Sequence, residues 1–491
     1  MTAMARMASG AAWMIAVRLA DRGLGVVSTM VLARLLVPGD FGLVAMAMSV
    51  ISLIELVGAF SFDVALIRKA QPDREHYDTA FTFNAVFGVG CALLMLVIAY
   101  PAATFYREPR LLGVIGALSL AWAAQGFENI GVVNFRRELR FDREFRFLAT
   151  KRVIAFAITM TAAFTLRSYW ALVAGTVVGR LAGTTLSYFV HPYRPRFSLA
   201  ARAEMMSFSS WLQVNNILNF VIAQCSSFVI GRTAGSHELG LYTVAHEVGS
   251  LPTSEIVAPI NRAVYPSYAQ MVEDRGQLRA GFLHVLSAVT LFAIPAACGI
   301  AAIAEPLIVL FLGSKWLEAA SLLKVLGFLG AVAAISTNTY PAFLALGRPR
   351  LPTAVSAVRM GVIVPAMIVA GWKYGAIGVA WVELSSGLIF VPLSWALLFP
   401  LIGVRLPDCI GVIYRPAVAA AVMYLGVRAI LPWDVTGASA SSVARLIFAV
   451  LFGVVVYFLG VLALWFLSGR ANGAEQQLLR LARERFGARA Q

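Results

Sequence analysis

Residues 34–53 read RLLVPGDFGLVAMAMSVISL, and residues 232–251 read RTAGSHELGLYTVAHEVGSL. Laid over one another (34 onto 232, a shift of 198), Arg34, Gly42, Leu43, Ala47, Val50, Ser52 and Leu53 are matched identically by Arg232, Gly240, Leu241, Ala245, Val248, Ser250 and Leu251. Asp40 is matched by Glu238. Seven identities in twenty without a gap mark an internal repeat. In a chain of apolar segments, repeats of this kind signal two structurally related halves.

The surrounding composition fixes what kind of chain carries the repeat. Of 491 residues, 60% are apolar and 13% charged, and the mean hydropathy is +0.79. A soluble domain carries roughly a quarter charged residues. Half that leaves too few charges to coat a soluble surface. Apolar runs of about 20 residues recur along the whole length, each long enough to cross a hydrocarbon core of ~30 Å. Backbone amides in lipid must be satisfied within the segment, so these runs are predicted as helices. About fourteen spans of this length are counted, near 10–35, 41–67, 80–104, 111–133, 150–168, 169–190, 208–231, 240–262, 283–304, 319–345, 351–371, 375–402, 411–431 and 443–467.

Net charge is +15, but the basic residues sit in short segments between apolar runs. That pattern points to membrane topology rather than to nucleic acid. With the N-terminus cytoplasmic, the cytoplasmic segments hold about 24 Lys and Arg and the opposite side about 7, and an even span number leaves both termini cytoplasmic. The first segment carries Arg18, Asp21 and Arg22, unlike the clean apolar centre of a cleaved signal, so none is expected to be removed. Cys91, Cys225, Cys298 and Cys409 show no C-x-x-C spacing and are expected as buried small hydrophobes.

The shift of 198 carries spans 1–2 onto spans 7–8. An even number of spans separates the copies, so both have the same orientation. Two parallel six-helix lobes are predicted, 1–200 and 201–405, followed by two additional helices (406–468) and a basic cytoplasmic tail (469–491).

Ionisable groups inside hydrocarbon are costly and are therefore candidates for function. Arg18, Asp21 and Arg22 fall on one face of span 1 by their i, i+3, i+4 spacing. Under the repeat shift Arg18 falls on Asn216 and Asp21 on Asn219. Glu55, Arg180 and Arg359 lie in further spans. A bland alternative stands beside each: Asp21 or Glu55 neutralising Arg22 in a buried pair, or Arg359 and Lys324 reaching toward headgroups. As a set, more arginines than carboxylates at depth imply an anionic ligand. Guanidinium forks suit diphosphate oxygens because they donate parallel hydrogen bonds and stay charged.

Enzymatic signatures are missing. There is no G-x-x-x-x-G-K-[ST] and no H-E-x-x-H, and the five histidines lack metal spacing. No catalytic residue, metal site or cofactor is expected.

The segment ARLLVPGDFGLVAMAMSVISL, followed by ALIRK, resembles the first hairpin of the polysaccharide transporter family. These are the Wzx-type oligosaccharide flippases of the multidrug/oligosaccharidyl-lipid/polysaccharide exporter superfamily. GRTAGSHELGLYTVAHEVGSLP, IVAPINRAVYPSYAQ and AEPLIVLFLGSKWLEAASLLKVLG are similar to that family's second half. The resemblance implies an all-α polytopic membrane protein that moves undecaprenyl-diphosphate-linked repeat units from the cytoplasmic to the periplasmic leaflet of a bacterial inner membrane, for exopolysaccharide, capsule or lipopolysaccharide O-antigen. Members often carry an Asp before the I-G-R of span 7, where this chain has Ser226 in QCSSFVIGR. The expected site is Arg18, Arg22, Arg180 and Arg359 on the diphosphate, with Asp21, Glu55, Asn216 and Asn219 shaping the cavity or meeting sugar. The expected partners are the lipid-linked oligosaccharide, membrane lipid, and the polymerase and chain-length machinery of the same pathway. Two rivals remain at this stage: a cation-coupled multidrug exporter of the same superfamily, and a membrane polymerase or ligase.

Overall fold

The computed structural model describes residues 22–57, 66–67, 69, 72–138, 140–202, 210–430 and 440–469. Side-chain surroundings at 57, 210–219, 258, 262–263 and 440 lie outside that description. Among the described residues there are helices and turns and no strand. The chain is an all-α polytopic membrane protein. Eight described helices are long and apolar enough to cross a membrane, or nine if Leu111–Gly126 and Ile130–Arg137, bent by 67° at their break, make one span. Large apolar side chains stand outward, such as Val97, Phe189 and Leu467 at 71%, 83% and 84% exposure. A soluble surface would not carry them; a lipid-facing one requires them.

Two compact units form, Met1–Gly240 and Leu241–Gln491. In the first, α1 (22–35) turns at Leu36–Val37 into α2 (Pro38–Val57). Pro38 opens α2, where its missing amide costs nothing. The Asp40 carboxylate accepts from the Val37 amide at 3.2 Å, closing the helix start. Then come α3 (Arg74–Tyr106), α4 (Leu111–Gly126), α5 (Phe141–Leu166), α6 (Trp170–Val190) and α7 (Ser210–Thr233), and α8 (Gly235–Gly249) begins there.

Glycines set how closely these helices approach. A Cβ on Gly175 would lie 1.8 Å from Thr159 Oγ1, one on Gly179 2.7 Å from Ala155 Cβ, and one on Gly183 2.4 Å from Lys151 Cε. The stripe on α6 thus lets α5 lie against it at backbone range. The repeat glycines do the same reciprocally. A Cβ on Gly42 would sit 1.7 Å from the Ser236 carbonyl oxygen, and one on Gly240 1.8 Å from the Pro38 carbonyl oxygen. Pro38 and Ser236 are themselves equivalent under the 198 shift. The starts of α2 and α8 therefore cross through a self-complementary contact of the kind a two-fold interface makes.

Element ends depart from the apolar runs at several places, three of them with a clear physical cause. α5 starts at Phe141, well before the expected 150. Its charged first turns are neutralised by Arg146 on Asp142 at 2.9 Å and by Arg136 on Glu144, so the helix extends beyond the hydrophobic stretch. The expected span 111–133 ends at Gly126, where a Cβ would meet the Asn84 carbonyl oxygen at 2.7 Å, and the chain then bends. The expected span 319–345 is interrupted after Ser336. Pro341 has no amide to offer the preceding turn, and the Ser336 and Thr337 hydroxyls bond back to the Ala333 and Ala334 carbonyls at 3.0 and 3.1 Å.

The second unit continues from a π-turn (Pro252–Val257) into α9 (Ala258–Met271), α10 (Arg275–Ala302), α11 (Ala304–Phe311), α12 (Ala319–Ser336) and α13 (Thr339–Ala345). α14 (Arg350–Ile402) follows, broken at Gly375 (φ 63°, ψ −148°) into two limbs. α15 (Leu406–Ile430) and α16 (Ala440–Leu467) complete it. Tyr268, Phe282, Phe343, Trp395 and Phe399 build one core. Leu291, Ile294, Met423, Tyr457 and Val461 build another, which fastens α16 through a Tyr457 hydroxyl donating to the Leu291 carbonyl at 2.6 Å. Within the first core Asn338, fully buried, accepts from Tyr268 Oη at 2.5 Å and donates to the Phe282 carbonyl at 3.0 Å. All four cysteines are free and buried.

Candidate substrate site

Arg18 and Asp21 lie outside the described residues. Asn216 and Asn219 fall on α7, with their side chains outside the description. Arg22, the first described residue, is half-buried on α1.

Glu55 and Arg180 come together through a residue the sequence did not single out. Trp122, on α4, donates its indole N–H to Glu55 Oε1 at 2.6 Å. The Arg180 guanidinium lies over the face of the same indole, its central carbon 3.4 Å from the ring centroid. A cation over a desolvated indole is held by the ring quadrupole, an attraction worth about 2 kcal/mol. Three helices are joined in this stack, α2 through Glu55, α4 through Trp122 and α6 through Arg180. Stacking leaves guanidinium edges unused: Arg180 Nη1 is buried and makes no hydrogen bond among the described residues. A buried donor without an acceptor is costly, and an anionic ligand would remove that cost.

Beside Arg180 a cavity of about 650 Å³ opens between α1, α5 and α6. Its walls are apolar (Leu24, Leu32, Leu148, Phe156 and Leu172 among them), and its charged lining residues are Lys151, Arg152 and Arg180. Glu128 pairs with Lys151 at 3.1 Å but does not line the cavity. Lys151 and Arg152 lie on α5 directly before its apolar run, which begins at Val153.

In the second unit Arg359, on the first limb of α14, donates from Nε to Ser386 Oγ on the second limb at 3.1 Å. The break at Gly375 folds the limbs so that these residues, 27 positions apart, meet. Lys324 is accounted for structurally: it pairs with Glu305, which also takes Arg428 Nη1 at 2.9 Å. The side chain of Arg262 lies outside the description. Ser226, in QCSSFVIGR, is buried at 3% exposure. Among the described residues no group of three His, Cys, Asp or Glu is placed to hold a metal ion.

Comparison with known proteins gives these features a context. The family described as "Polysaccharide biosynthesis protein" matches residues 31–321. The chain is 26% identical over 380 residues to the lipopolysaccharide biosynthesis protein WzxC of Escherichia coli (strain K12), covering 76% of each. It is 24% identical over 427 residues to the succinoglycan biosynthesis transport protein ExoT of Rhizobium meliloti (strain 1021), covering 85% of each. Among solved structures, the lipid II flippase MurJ in an inward closed conformation superimposes with a TM-score of 0.70 at 16% identity, over 92% of this chain and 99% of that one. An inward-facing multidrug resistance MATE family transporter of the MOP superfamily gives 0.55 at 14% identity, over 78% and 95%. These structural likenesses establish the fold.

Proposed function

The chain belongs to the polysaccharide biosynthesis protein family, and from that premise we propose that it moves an oligosaccharide, linked through diphosphate to a polyprenyl lipid, across the bacterial inner membrane. The chain is a transporter and not an enzyme, as its relatives and structural neighbours are. Movement runs from the cytoplasmic to the periplasmic leaflet by alternating access of two parallel lobes, 1–200 and 201–405. Residues 406–468 supply two further helices, to a total of about fourteen, and both termini face the cytoplasm. Arg18, Arg22, Arg180 and Arg359 contact the diphosphate. Asp21, Glu55, Asn216 and Asn219 shape the surrounding polar surface. The product passes to the polymerase and chain-length machinery of the same pathway.

The observation that carries this reading is Arg180, a cation inside an apolar helix, stacked on Trp122 with Nη1 lacking a hydrogen-bond partner among the described residues. Such a group suits a phosphate oxygen, and a phosphate on a lipid explains why it sits within a membrane span. A cation substrate would be repelled by the Arg180 guanidinium, whose Nη1 donor favours an anion.

The test is a deletion strain carrying an inducible copy. Completed lipid-linked units trapped on the cytoplasmic face and released by induction support the proposal. Units that reach the periplasmic face without the protein refute it.

A further inference from the structure

We propose that residues 191–201, which lead from α6 toward α7, are a tether latched onto the start of α3, with Asp78 as its principal catch, so that the two lobes turn about points beyond Ala201 and not at the end of α6. This rests on the alternating-access flippase reading and adds to it a fixed link between the repeats.

The tether is built from both sides. α6 ends at Val190, and His191 leaves it extended (φ −126°, ψ 132°). Pro192 and Pro195 hold the residues before them, His191 and Arg194, away from helical backbone, so HPYRPRFSL runs on without helix or turn. Across it lies one face of α3, where Asp78, Thr79 and Thr82 stand at i, i+1 and i+4. The Asp78 carboxylate accepts from the Arg196 amide at 2.8 Å and from the Tyr193 hydroxyl at 2.7 Å. The Thr82 hydroxyl oxygen accepts from the Ser198 amide at 2.8 Å, and that of Thr79 from the Ala201 amide at 3.2 Å. From the turn after α4, Asn129 donates to the Tyr193 carbonyl at 2.7 Å. The rings of Tyr193 and Phe197 lie 5.4 and 5.6 Å from those of Tyr77 and Phe81 on α3.

A connection that only had to span a gap could leave its amides to water. Here Asp78, Thr79, Thr82 and Asn129 are all buried. Buried polar groups need partners, and this segment supplies them. The second unit fastens its chain at the corresponding place. The second limb of α14 ends at Ile402. Asp408, in the first turn of α15, then accepts from the Arg405 amide at 2.9 Å and pairs with Arg279 near the start of α10 at 2.8 Å. Counted in spans of six per lobe, α10 and that limb are the counterparts of α3 and α6. Both units thus pin the exit of their sixth span to the start of their third through an aspartate. The residues themselves are not repeated, since Asp78 falls on Gly276 under the 198 shift. The fastening recurs although the side chains do not, so it is the fastening that the fold requires. A chain pinned along α3 has no slack to give, and hinge motion is absorbed where the backbone is free to turn.

The experiment removes backbone donors and leaves the buried side chains in place. Arg196→Pro/Ser198→Pro deletes the amides held by Asp78 and Thr82 within an already extended segment. Arg196→Gln/Ser198→Ala keeps both amides and changes only the side chains. The purified full-length proteins are compared in liposomes carrying undecaprenyl-diphosphate-linked oligosaccharide, the inner pool being read from outside with a sugar-modifying enzyme. Affinity for undecaprenyl diphosphate is measured in nanodiscs, and amide hydrogen exchange over 191–201 reports the latch. The proline pair is expected to exchange faster there and to slow exposure of the pool roughly fivefold or more, with affinity within about twofold of wild type. The Gln/Ala pair matches the wild type. Transport lost without affinity is the mark of a link that guides motion, and a merely structural prop would not separate the two. Full-rate transport by the unlatched proline pair overturns the proposal. An equal loss of affinity overturns it by making the segment part of the binding site, and an equal slowing in the Gln/Ala pair overturns it by assigning the effect to the side chains. The wild type gives an independent check: its 193–201 amides stay protected while substrate moves, and loss of that protection during transport refutes the tether. If the wild type exposes no more of the pool than protein-free vesicles, the flippase reading fails. If the wild type transports and the proline pair keeps pace, the tether alone fails.

Discussion

The reciprocal glycine contact makes a sharp prediction. Gly42→Ala puts a methyl carbon 1.7 Å from the Ser236 carbonyl oxygen, 2.6 Å from its carbonyl carbon and 2.8 Å from the Gly240 nitrogen. All three obstacles are backbone, so no side-chain rotation relieves them. Restoring an ordinary contact of ~3.5 Å requires the two helix starts to separate by about 1.8 Å. Overpacking of this kind costs ~1–3 kcal/mol, which shifts an equilibrium between two arrangements by roughly 5–150-fold. The contact is reported by a cysteine pair. A Cβ on Gly39 would lie 3.7 Å from Ser236 Oγ, so cysteines at the two positions bring their side chains into contact. Gly39→Cys/Ser236→Cys is expected to cross-link readily, the native cysteines being buried. Adding Gly42→Ala or Gly240→Ala should slow the cross-link at least fivefold, by about the same factor for either, because the contact is reciprocal. Undiminished cross-linking in both variants, with normal expression, would refute the reasoning.

Three further outcomes follow from the polar groups. Trp122→Phe keeps a ring under Arg180 but removes the donor to Glu55; transport should fall partially, whereas Trp122→Ala should reduce it at least as far as Arg180→Gln does, both read by the leaflet assay. Glu305→Gln removes the carboxylate shared by Lys324 and Arg428 and should lower stability by about 1–3 kcal/mol, visible as a lower unfolding temperature in detergent. Glu108, between α3 and α4, accepts both Arg110 Nε and Nη2 at 2.8 Å, and that hydrogen bonding lowers its pKa. Its contribution is therefore complete above the ordinary carboxylate range and lost as pH falls through the lowered folded value. Glu108→Gln should abolish only that acid-side component of a stability–pH curve.

Much of the fold was legible because its signals are local. Span-length apolar runs and the match of Gly42 with Gly240 can be read along the chain. The contact of those two glycines with each other could not be, since it joins residues 198 positions apart. The start of α5, expected near 150 and found at Phe141, was hidden for a specific reason. Span limits drawn where charge ends ignore pairing, and the Asp142–Arg146 and Arg136–Glu144 pairs let α5 begin in charged sequence. Arg180 and Glu55 stood out as ionisable groups in apolar runs. Trp122, which joins them, did not, because a tryptophan in a span is ordinary until its neighbours are known.

The central claim is tested most directly with the purified protein in liposomes containing undecaprenyl-diphosphate-linked oligosaccharide, probed from outside with a sugar-modifying enzyme that cannot cross the bilayer. The account predicts that vesicles holding the protein expose the inner-leaflet pool over time, and that Arg180→Gln slows this. Vesicles holding folded protein that expose no more than protein-free vesicles would contradict it.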